Sequence, residues 1–492
     1  MACGISILDA KFRDVTEVKR LIESLQGDPA AREAAELGKH AKKEKLAELG
    51  IHFDTDDVGP LWEKYNNLKL LFESGKLKEY PLLYRFWDSY LQEQEQLKEL
   101  SLYNTYTKND ALTAWRTRIF QRSSSEAGGV GRTKIQPLFA YELSKGCSVG
   151  CWFCALAPGK LKGVVPYTAE NARLWKDMLE IGQEMFGQCS AVSSLYHATE
   201  PFDNPDYFKF VDDFQMINGI LPQTTTAVPF RNPEQTKGML KRRRASPDMP
   251  DRFSVLNLKT LRRIHREFSA VDLEYVQLVL QNQESFGTKA KAGRARNANL
   301  SHIEGVKEDC VEGDSKEMIA PTTVECVIGF LVNLYEGSIK LISPCKASEK
   351  WPFGYRVHYE AIFRDKDEYK AILQDCIEKC MRKAPAADMP LAFRPDLQYQ
   401  RRQDGFSLIS PYRQHDMCGR DFFPYLGDAI AEGNTTSGEI AVRLAEQGFP
   451  YFSVIGCIQD LFKGGVLADE LDMKSIVHPP PPAKAGADSP VS

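Results

Sequence analysis

Residues 138–154 read LFAYELSKGCSVGCWFC, an apolar run of strand length that breaks at Gly146 and delivers Cys147, Cys151 and Cys154 within eight residues. A short apolar run bounded by a turn signal reads as a buried strand, so the cysteines fall in the loop at its C-terminal end. Thiolates ligate zinc, iron-sulfur clusters or other soft metals, and a closed structural zinc site takes four ligands, usually from two C-x-x-C pairs. Here one C-x-x-C is joined by a third cysteine four residues upstream. Three ligands on a cubane cluster leave one iron open for a substrate, which accounts for three thiols in place of four.

Outward from this loop, short apolar runs alternate with helical patterns. NARLWKDMLEIGQEMF repeats Leu174, Trp175, Met178, Leu179, Met185 and Phe186 at helical spacing. SAVSSLYHATEP is strand-like, NPDYFKFVDDFQMI helical, and LPQTTTAVP, RFSVLN, LKTLRRIHREF and EYVQLVLQ follow in turn. The alternation predicts an α/β fold with a parallel sheet, open or closed as a barrel, whose chemistry lies at the C-terminal strand ends. CVIGFLVNLY and SIKLIS, separated by Glu336 and Gly337, predict a hairpin or closing edge. Before the core, Leu61, Tyr65, Leu68, Leu71 and the segment 80–100 carry helical patterns, and SSSEAGGVGRT at 123–133 reads as a linker. After it, FRDKDEYKAILQDCIEKCM is an amphipathic helix, TTSGEIAVRLAEQG and FSVIGCIQDLFKGGVL are two further helices, and the Pro-rich tail reads as disordered.

The chain has 492 residues, 43% hydrophobic, with 63 Lys and Arg against 67 Asp and Glu, so no basic excess argues for nucleic acid or an anionic membrane. No run approaches the length of a membrane span, and the N-terminus lacks a signal-peptide core; the reading is a cytoplasmic protein. Its twelve cysteines then read as reduced thiols or metal ligands, not as a disulfide framework.

Cys147, Cys151, Phe153 and Cys154 meet the pattern C-x-x-x-C-x-aromatic-C, and the stretch resembles the radical SAM superfamily. The resemblance implies a partial (β/α)6 TIM-like barrel, with a 4Fe-4S cluster on the three cysteines. S-adenosyl-L-methionine would be chelated on the open iron and cleaved to methionine and a 5'-deoxyadenosyl radical. LYHATEP stands where the superfamily has a GGE-like segment, which implies Glu200, with Thr199 beside it, as the holder of the cofactor's amino group. Ser254 and Asn257 in RFSVLN are candidates for the ribose and carboxylate; the alternatives are that Glu200 caps a helix beginning near Asn204 and that Ser254 and Asn257 are strand-end or capping residues.

YELSKGCSVGCWFCALAP, HATEPFDNPDY, AGRARN and ISPCKASEKWPFGYRV together resemble the radical SAM peptide epimerases of proteusin maturation, which turn L-residues of a ribosomally made precursor into D-residues. That resemblance implies Cys345 as the thiol that gives a hydrogen atom to the α-carbon radical. It also implies a precursor peptide, leader and core, as partner, a small winged-helix-like module for the leader, and a flavodoxin or ferredoxin type of reductant. Cys376 and Cys380 read as core residues, Cys189, Cys326 and Cys457 sit in apolar runs, and Cys310 and Cys418 in polar ones. The divisions are a helical region at 1–135, a radical SAM core at 136–345, a mostly helical C-terminal region at 346–478 and a tail at 479–492. Rival readings are thioether formation or C-methylation of a peptide, an RNA-modifying enzyme, and a non-enzymatic iron-sulfur or zinc protein.

Overall fold

The computed structural model describes residues 4–51, 58–64, 68–102, 107–128, 136–285, 289–297 and 323–469. The helices α1 (Gly4–Gly27), α2 (Pro29–Ala35), α3 (Lys39–Glu48), α4 (Gly59–Lys64), α5 (Leu68–Glu73), α6 (Pro81–Leu102) and α7 (Asp110–Glu126) precede the first strand. Val18, Leu21 and Leu25 of α1, spaced at a helical turn, bury against Leu82 and Leu83 of α6. Asn109 caps α7 by accepting the Leu112 N–H at 2.9 Å. The expected linker starts later than read: Ser123–Glu126 form the last turn of α7, and 129–133 lie outside the described residues. Leu112, Trp115 and Ile119 of α7 pack into the core of the sheet and not into that of the preceding helices.

The chain then runs through β1 (Phe139–Glu142), β2 (Ser144–Lys145), β3 (Gly163–Val164), α8 (Ala169–Phe186), β4 (Ser193–Ser194), α9 (Tyr207–Asn218), β5 (Thr225–Thr226), α10 (Pro233–Ala245), β6 (Asp251–Val255), α11 (Leu258–Glu267), β7 (Val276–Leu280), β8 (Gly329–Asn333), β9 (Ser338–Pro344), β10 (Tyr355–Ile362) and α12 (Lys366–Cys380). β1 lies between β4 and β8, parallel to both. A parallel bridge from Ser194 to Gln223 leads on toward β5, β6 and β7, which are parallel to one another. β9 and β10 close the other edge antiparallel, through the predicted hairpin. Gly337 in its turn has φ +62°, and a Cβ there would stand 2.4 Å from the Phe363 carbonyl oxygen, so the turn needs glycine. The result is the mixed α/β architecture with parallel strands that the alternation implies.

Alternation along the strands gives the sheet two chemically different faces. Phe139, Tyr141, Phe330, Val332, Ile339 and Leu341 pack on the helices, with Tyr141 edge-on to Trp175 at 4.8 Å. Phe253, Val255, Leu278 and Leu280 do the same against Leu261 and Ile264 of α11. On the opposite face the apolar cluster is small, Ala140, Val327, Leu331 and Ile342, and polar side chains take over. β10 and α12 belong to this same core, through Tyr359, Tyr369 and Leu373, so the packing continues well past residue 345.

The C-terminal module adds a small sheet to the expected helices. β11 (Gln398–Arg402), β12 (Gly405–Ile409) and β13 (Gln414–Cys418) form an antiparallel three-stranded sheet ahead of α13 (Phe423–Glu432), α14 (Ser437–Glu446) and α15 (Tyr451–Lys463). β11 and β13 are edge strands of polar, exposed residues, so only GFSLI of β12 carries an apolar strand signal. Thr436 and Glu439 form a reciprocal capping box at the start of α14. The tail 479–492 and Cys310 lie outside the described residues. No helix of the described residues is long and apolar enough to cross a membrane.

Module and sheet meet through α7. Arg118 and Arg122 both donate to Asp469, at 2.9 and 2.6 Å, while Arg356 of β10 donates to Glu126 at 2.8 Å and Arg394 to the Ser125 hydroxyl at 2.8 Å. Burial alone would raise the Asp469 carboxyl, but Arg122 and Arg118 hold it below the usual range. Removing one partner of a buried charge network leaves the others uncompensated. Asp469→Asn is therefore expected to lower unfolding free energy in urea by about 3 kcal/mol; a change within about 0.5 kcal/mol would show that the network contributes nothing.

Candidate functional site

The cysteine loop begins where β1 ends. β2 turns back against β3, and the Cys147 N–H donates to the Gly159 carbonyl at 3.0 Å, so residues 147–160 are pinched at the base. Gly146 makes the pinch possible: at φ +82°, a Cβ would sit 2.3 Å from the Lys160 carbonyl oxygen. Cys147, Cys151 and Cys154 are all half-buried and free of disulfides. The Val149 N–H points at the Cys147 sulfur, 3.4 Å away. Burial, then the neighbouring Cys154 and Cys147, pushes the Cys151 thiol up to about 11. Cys147 is also raised, by burial and by Glu200 and Asp203, against the pull of the Val149 and Gly150 N–H groups.

This donor set suits a cluster. The ligands are soft, share one loop and lie near enough to resist joint ionisation, a cost that metal coordination removes. Among the described residues no three His, Cys, Asp or Glu side chains converge on a single-ion position.

Glu200 closes the site from the end of β4. Its side chain is 3% exposed; Oε1 accepts from the Phe202 N–H at 3.1 Å and the Thr226 hydroxyl at 2.7 Å, and Oε2 from the Ala227 N–H at 2.9 Å. It caps a short 3-10 turn, Pro201–Asp203, and ties β4 to β5; α9 itself starts later, at Tyr207. Burial pushes the Glu200 carboxyl up, and the three donors pull it back. Thr199 beside it is half-buried. Asp203 accepts from the Ser148 N–H at 3.0 Å and pairs with Arg231, anchoring the near side of the cysteine loop.

Across the loop, a cleft of about 430 Å³ is lined by Gly150, Cys151, Trp152 and Phe153, facing Leu256, Asn257, Gln283 and Glu284. Asn257 caps α11, accepting from the N–H and hydroxyl of Thr260 at 2.9 and 3.1 Å, so it both lines the cleft and serves the helix. Ser254 lies on the polar face of β6, opposite Phe253 and Val255. The structure thus gathers Cys151, Phe153 and Asn257 around one cleft, with Glu200 close enough to raise the Cys147 and Cys151 thiols.

Cys345 stands elsewhere. β9 runs opposite to β1 and β8, and Ile342 already pairs with Gly329, the first residue of β8. Cys345 therefore lies past the edge where the parallel strands begin, whereas the cysteine loop leaves the edge where they end. It is fully buried, its N–H donates to Gly354 at 3.0 Å, and its neighbours Pro344 and Lys346 bond to Ser123 and Glu126 of α7. Cys376 and Cys380 are buried on α12, Cys189 beside Arg116, and Cys457 in the C-terminal module, while Cys418 is exposed on β13. Cys326, beside Glu325, is pushed up to about 12 by burial and then by that carboxylate.

Sequence reasoning missed a buried polar cluster on the face opposite the helices. His197 Nε2 meets Glu325 Oε2 at 2.5 Å, its Nδ1 stands 3.6 Å from Glu142 Oε1, and Tyr355 packs edge-on against its ring. Glu142 also accepts from the Asn333 amide at 2.8 Å and the Ala198 N–H at 2.9 Å, which joins β1, β4 and β8. The available signal was an acid ending the apolar run FAYE and a histidine three residues before Glu200. Burial disfavours the imidazolium, but the two carboxylates outweigh it and push His197 up to about 10. Because folding raises this pKa, the stabilisation is complete below the ordinary value of 6.5 and is lost as pH rises through about 10. His197→Gln is expected to cost about 3 kcal/mol near neutral pH. The gap in melting temperature between wild type and variant should narrow toward pH about 10; a pH-independent gap would show that the imidazole is not charged.

Residues 391–465, the C-terminal module, match the family described as the protein y4wI C-terminal domain. The uncharacterized protein y4wI of Sinorhizobium fredii (strain NBRC 101917 / NGR234) is 33% identical over 463 residues, which span 94% of this chain and 88% of that protein. Among solved structures, BtrN in complex with AdoMet and 2-DOIA aligns with 50% of this chain and 84% of its own, at 12% identity and a TM-score of 0.28, too slight a likeness to transfer fold or chemistry. An identity of this size, sustained over nearly the whole of both chains and including the C-terminal module, shows that the chain belongs to the y4wI family.

Proposed function

We propose that this chain is a radical SAM enzyme that inverts residues of a ribosomally made precursor peptide. The observation that carries the first half is the set of three free, half-buried thiols at 147, 151 and 154, on a loop leaving the C-terminal end of a parallel strand beside a cleft. Cys147, Cys151 and Cys154 would hold a 4Fe-4S cluster, which together with S-adenosyl-L-methionine supplies a 5'-deoxyadenosyl radical able to take a hydrogen atom from carbon. Glu200, preorganised by Thr226, Phe202 and Ala227, would accept from the ammonium of the methionine moiety. Phe153 and Asn257 line the cleft on either side and would orient the nucleoside, with Ser254 and Thr199 as further polar contacts.

The second half rests on the segments that resemble proteusin epimerases. Loss of the α-hydrogen leaves a carbon radical on the peptide; a thiol S–H then restores a C–H bond from the opposite face, and the thiyl takes one proton from solvent and one electron from a flavodoxin or ferredoxin type of reductant, which also supplies the electron for cofactor cleavage. By the resemblance the donor is Cys345. The precursor's leader would bind the C-terminal module, whose β13 is an exposed edge strand. A second reading, thioether or C-methyl formation on the same peptide class, needs no donor thiol, and the burial of Cys345 beside α7 favours it.

Turnover of the cognate precursor in deuterated water separates the two. Epimerisation by a thiol donor is expected to add one mass unit per inverted residue, at the α-carbon, because a thiol hydrogen exchanges with solvent. Cys345→Ala should still release 5'-deoxyadenosine yet form no D-residue. A product that loses two hydrogens or gains a methyl group, without α-deuterium, would overturn the epimerase assignment; normal inversion by the variant would move the donor role to another cysteine.

A further inference from the structure

The segment AGRARN, Ala292–Asn297, has no residue with an assigned role at the site, yet it packs directly on the cysteine loop. Gly293 has φ +53°, and a Cβ there would fall 2.1 Å from the Ala155 carbonyl oxygen and 2.6 Å from that of Cys154. Only glycine permits this approach. The Arg294 N–H donates to the Cys154 carbonyl at 3.0 Å, and its guanidinium forks onto the carbonyls of Cys151 at 3.0 Å and Pro158 at 2.5 Å. Ala290 and Ala292 pack with Ala155 and Ala347, and the Gly293 N–H donates to Pro352 at 2.8 Å.

We propose that Arg294 is a positioning residue for the cluster: it sets the backbone of Cys151 and Cys154 from outside the loop, as Ser148, Asp203 and Arg231 set the near end. This rests on the assignment of a cluster to the three cysteines. Within the loop the Cys154 N–H reaches the Cys151 carbonyl at 3.3 Å, and Arg294 adds a second tie between the two, its backbone N–H on the Cys154 carbonyl and its guanidinium on those of Cys151 and Pro158. Arg294 is exposed, so its charge is screened by water and its effect rests on the rigid fork. A lysine, with one flexible ammonium, does not reproduce a planar fork on two carbonyls.

The test uses full-length chain reconstituted with iron and sulfide without oxygen, and follows iron loss to a chelator together with the EPR spectrum of the reduced cluster. Arg294→Gln and Arg294→Lys are both expected to lose iron about 10-fold faster than wild type and to broaden the spectrum. Arg296→Gln removes a cation from the same turn, whose guanidinium donates to the Ser348 carbonyl at 2.7 Å and not to the cysteine loop among the described residues, and should behave as wild type. Apo-protein melting temperatures verify that each variant is folded. A wild-type chain that takes up no cluster overturns the functional reading, and this proposal with it. A wild-type cluster whose retention and spectrum are unchanged in Arg294→Gln overturns the positioning role alone, and wild-type behaviour of Arg294→Lys overturns the fork.

Discussion

A strand buried on both faces must end somewhere, and in this protein it ends on a carboxylate. Glu142 closes β1 between β4 and β8, is itself buried, and is held ionised by His197, with the Asn333 amide and the Ala198 N–H completing its hydrogen bonds. Leaving such a charge unpaired would be costly, so the positions of β4, β8 and the segment at Glu325 are coupled through it. The cysteine loop starts five residues beyond. Its direction follows from a strand whose register is fixed on both sides, at Ala140 opposite Ser194 and Leu331.

The sheet then separates two jobs. Its helix-facing side is a packed aromatic core in which Phe139 stacks on Tyr141 and Phe330 with ring centres 5.3 Å apart in each pair. Its other side keeps Glu142, His197 and Glu325, with a small apolar cluster on the same face, and on β6 of the adjoining three-stranded sheet Ser254 and Arg252 alternate with the buried Phe253 and Val255. A packed core on one side and polar groups on the other is what a sheet needs if one face is to hold it together while the other faces chemistry. The loop itself is fixed by contacts from three different places, Asp203 after β4, Lys160 and Gly159 before β3, and Gly293 and Arg294 after β7. Rigid placement by supporting groups is how a site holds ligands at a set spacing.

Much of this was legible in the sequence because it rests on local pattern. The run 138–143 announced β1, and the spacing of apolar residues gave α8, α9, α11 and α12. What was not legible depends on partners distant in the chain. Nothing local tells that α7, inside a helical region, packs on the sheet through Trp115, or that Ser123–Glu126, a Ser-rich stretch, is its last turn. The strands β11 and β13 were hidden because their exposed edges carry Arg, Gln and Asp where a buried strand would carry apolar residues. His197 gained its role through Glu142 and through Glu325, 128 residues away. The place of Cys345 likewise follows from strand direction, since β9 carries it past the edge where β1 and β8 begin.

The central claim is that the loop at 147–154 binds a cluster with an open iron, and the most direct measurement is iron and sulfide analysis of anaerobically reconstituted protein with EPR of its reduced form. The expected result is about four irons and four sulfides per chain, with a spectrum altered by S-adenosyl-L-methionine and lost when Cys147, Cys151 and Cys154 are replaced by Ala. A chain that takes up zinc without iron, or a triple variant that retains the full iron content, would contradict it.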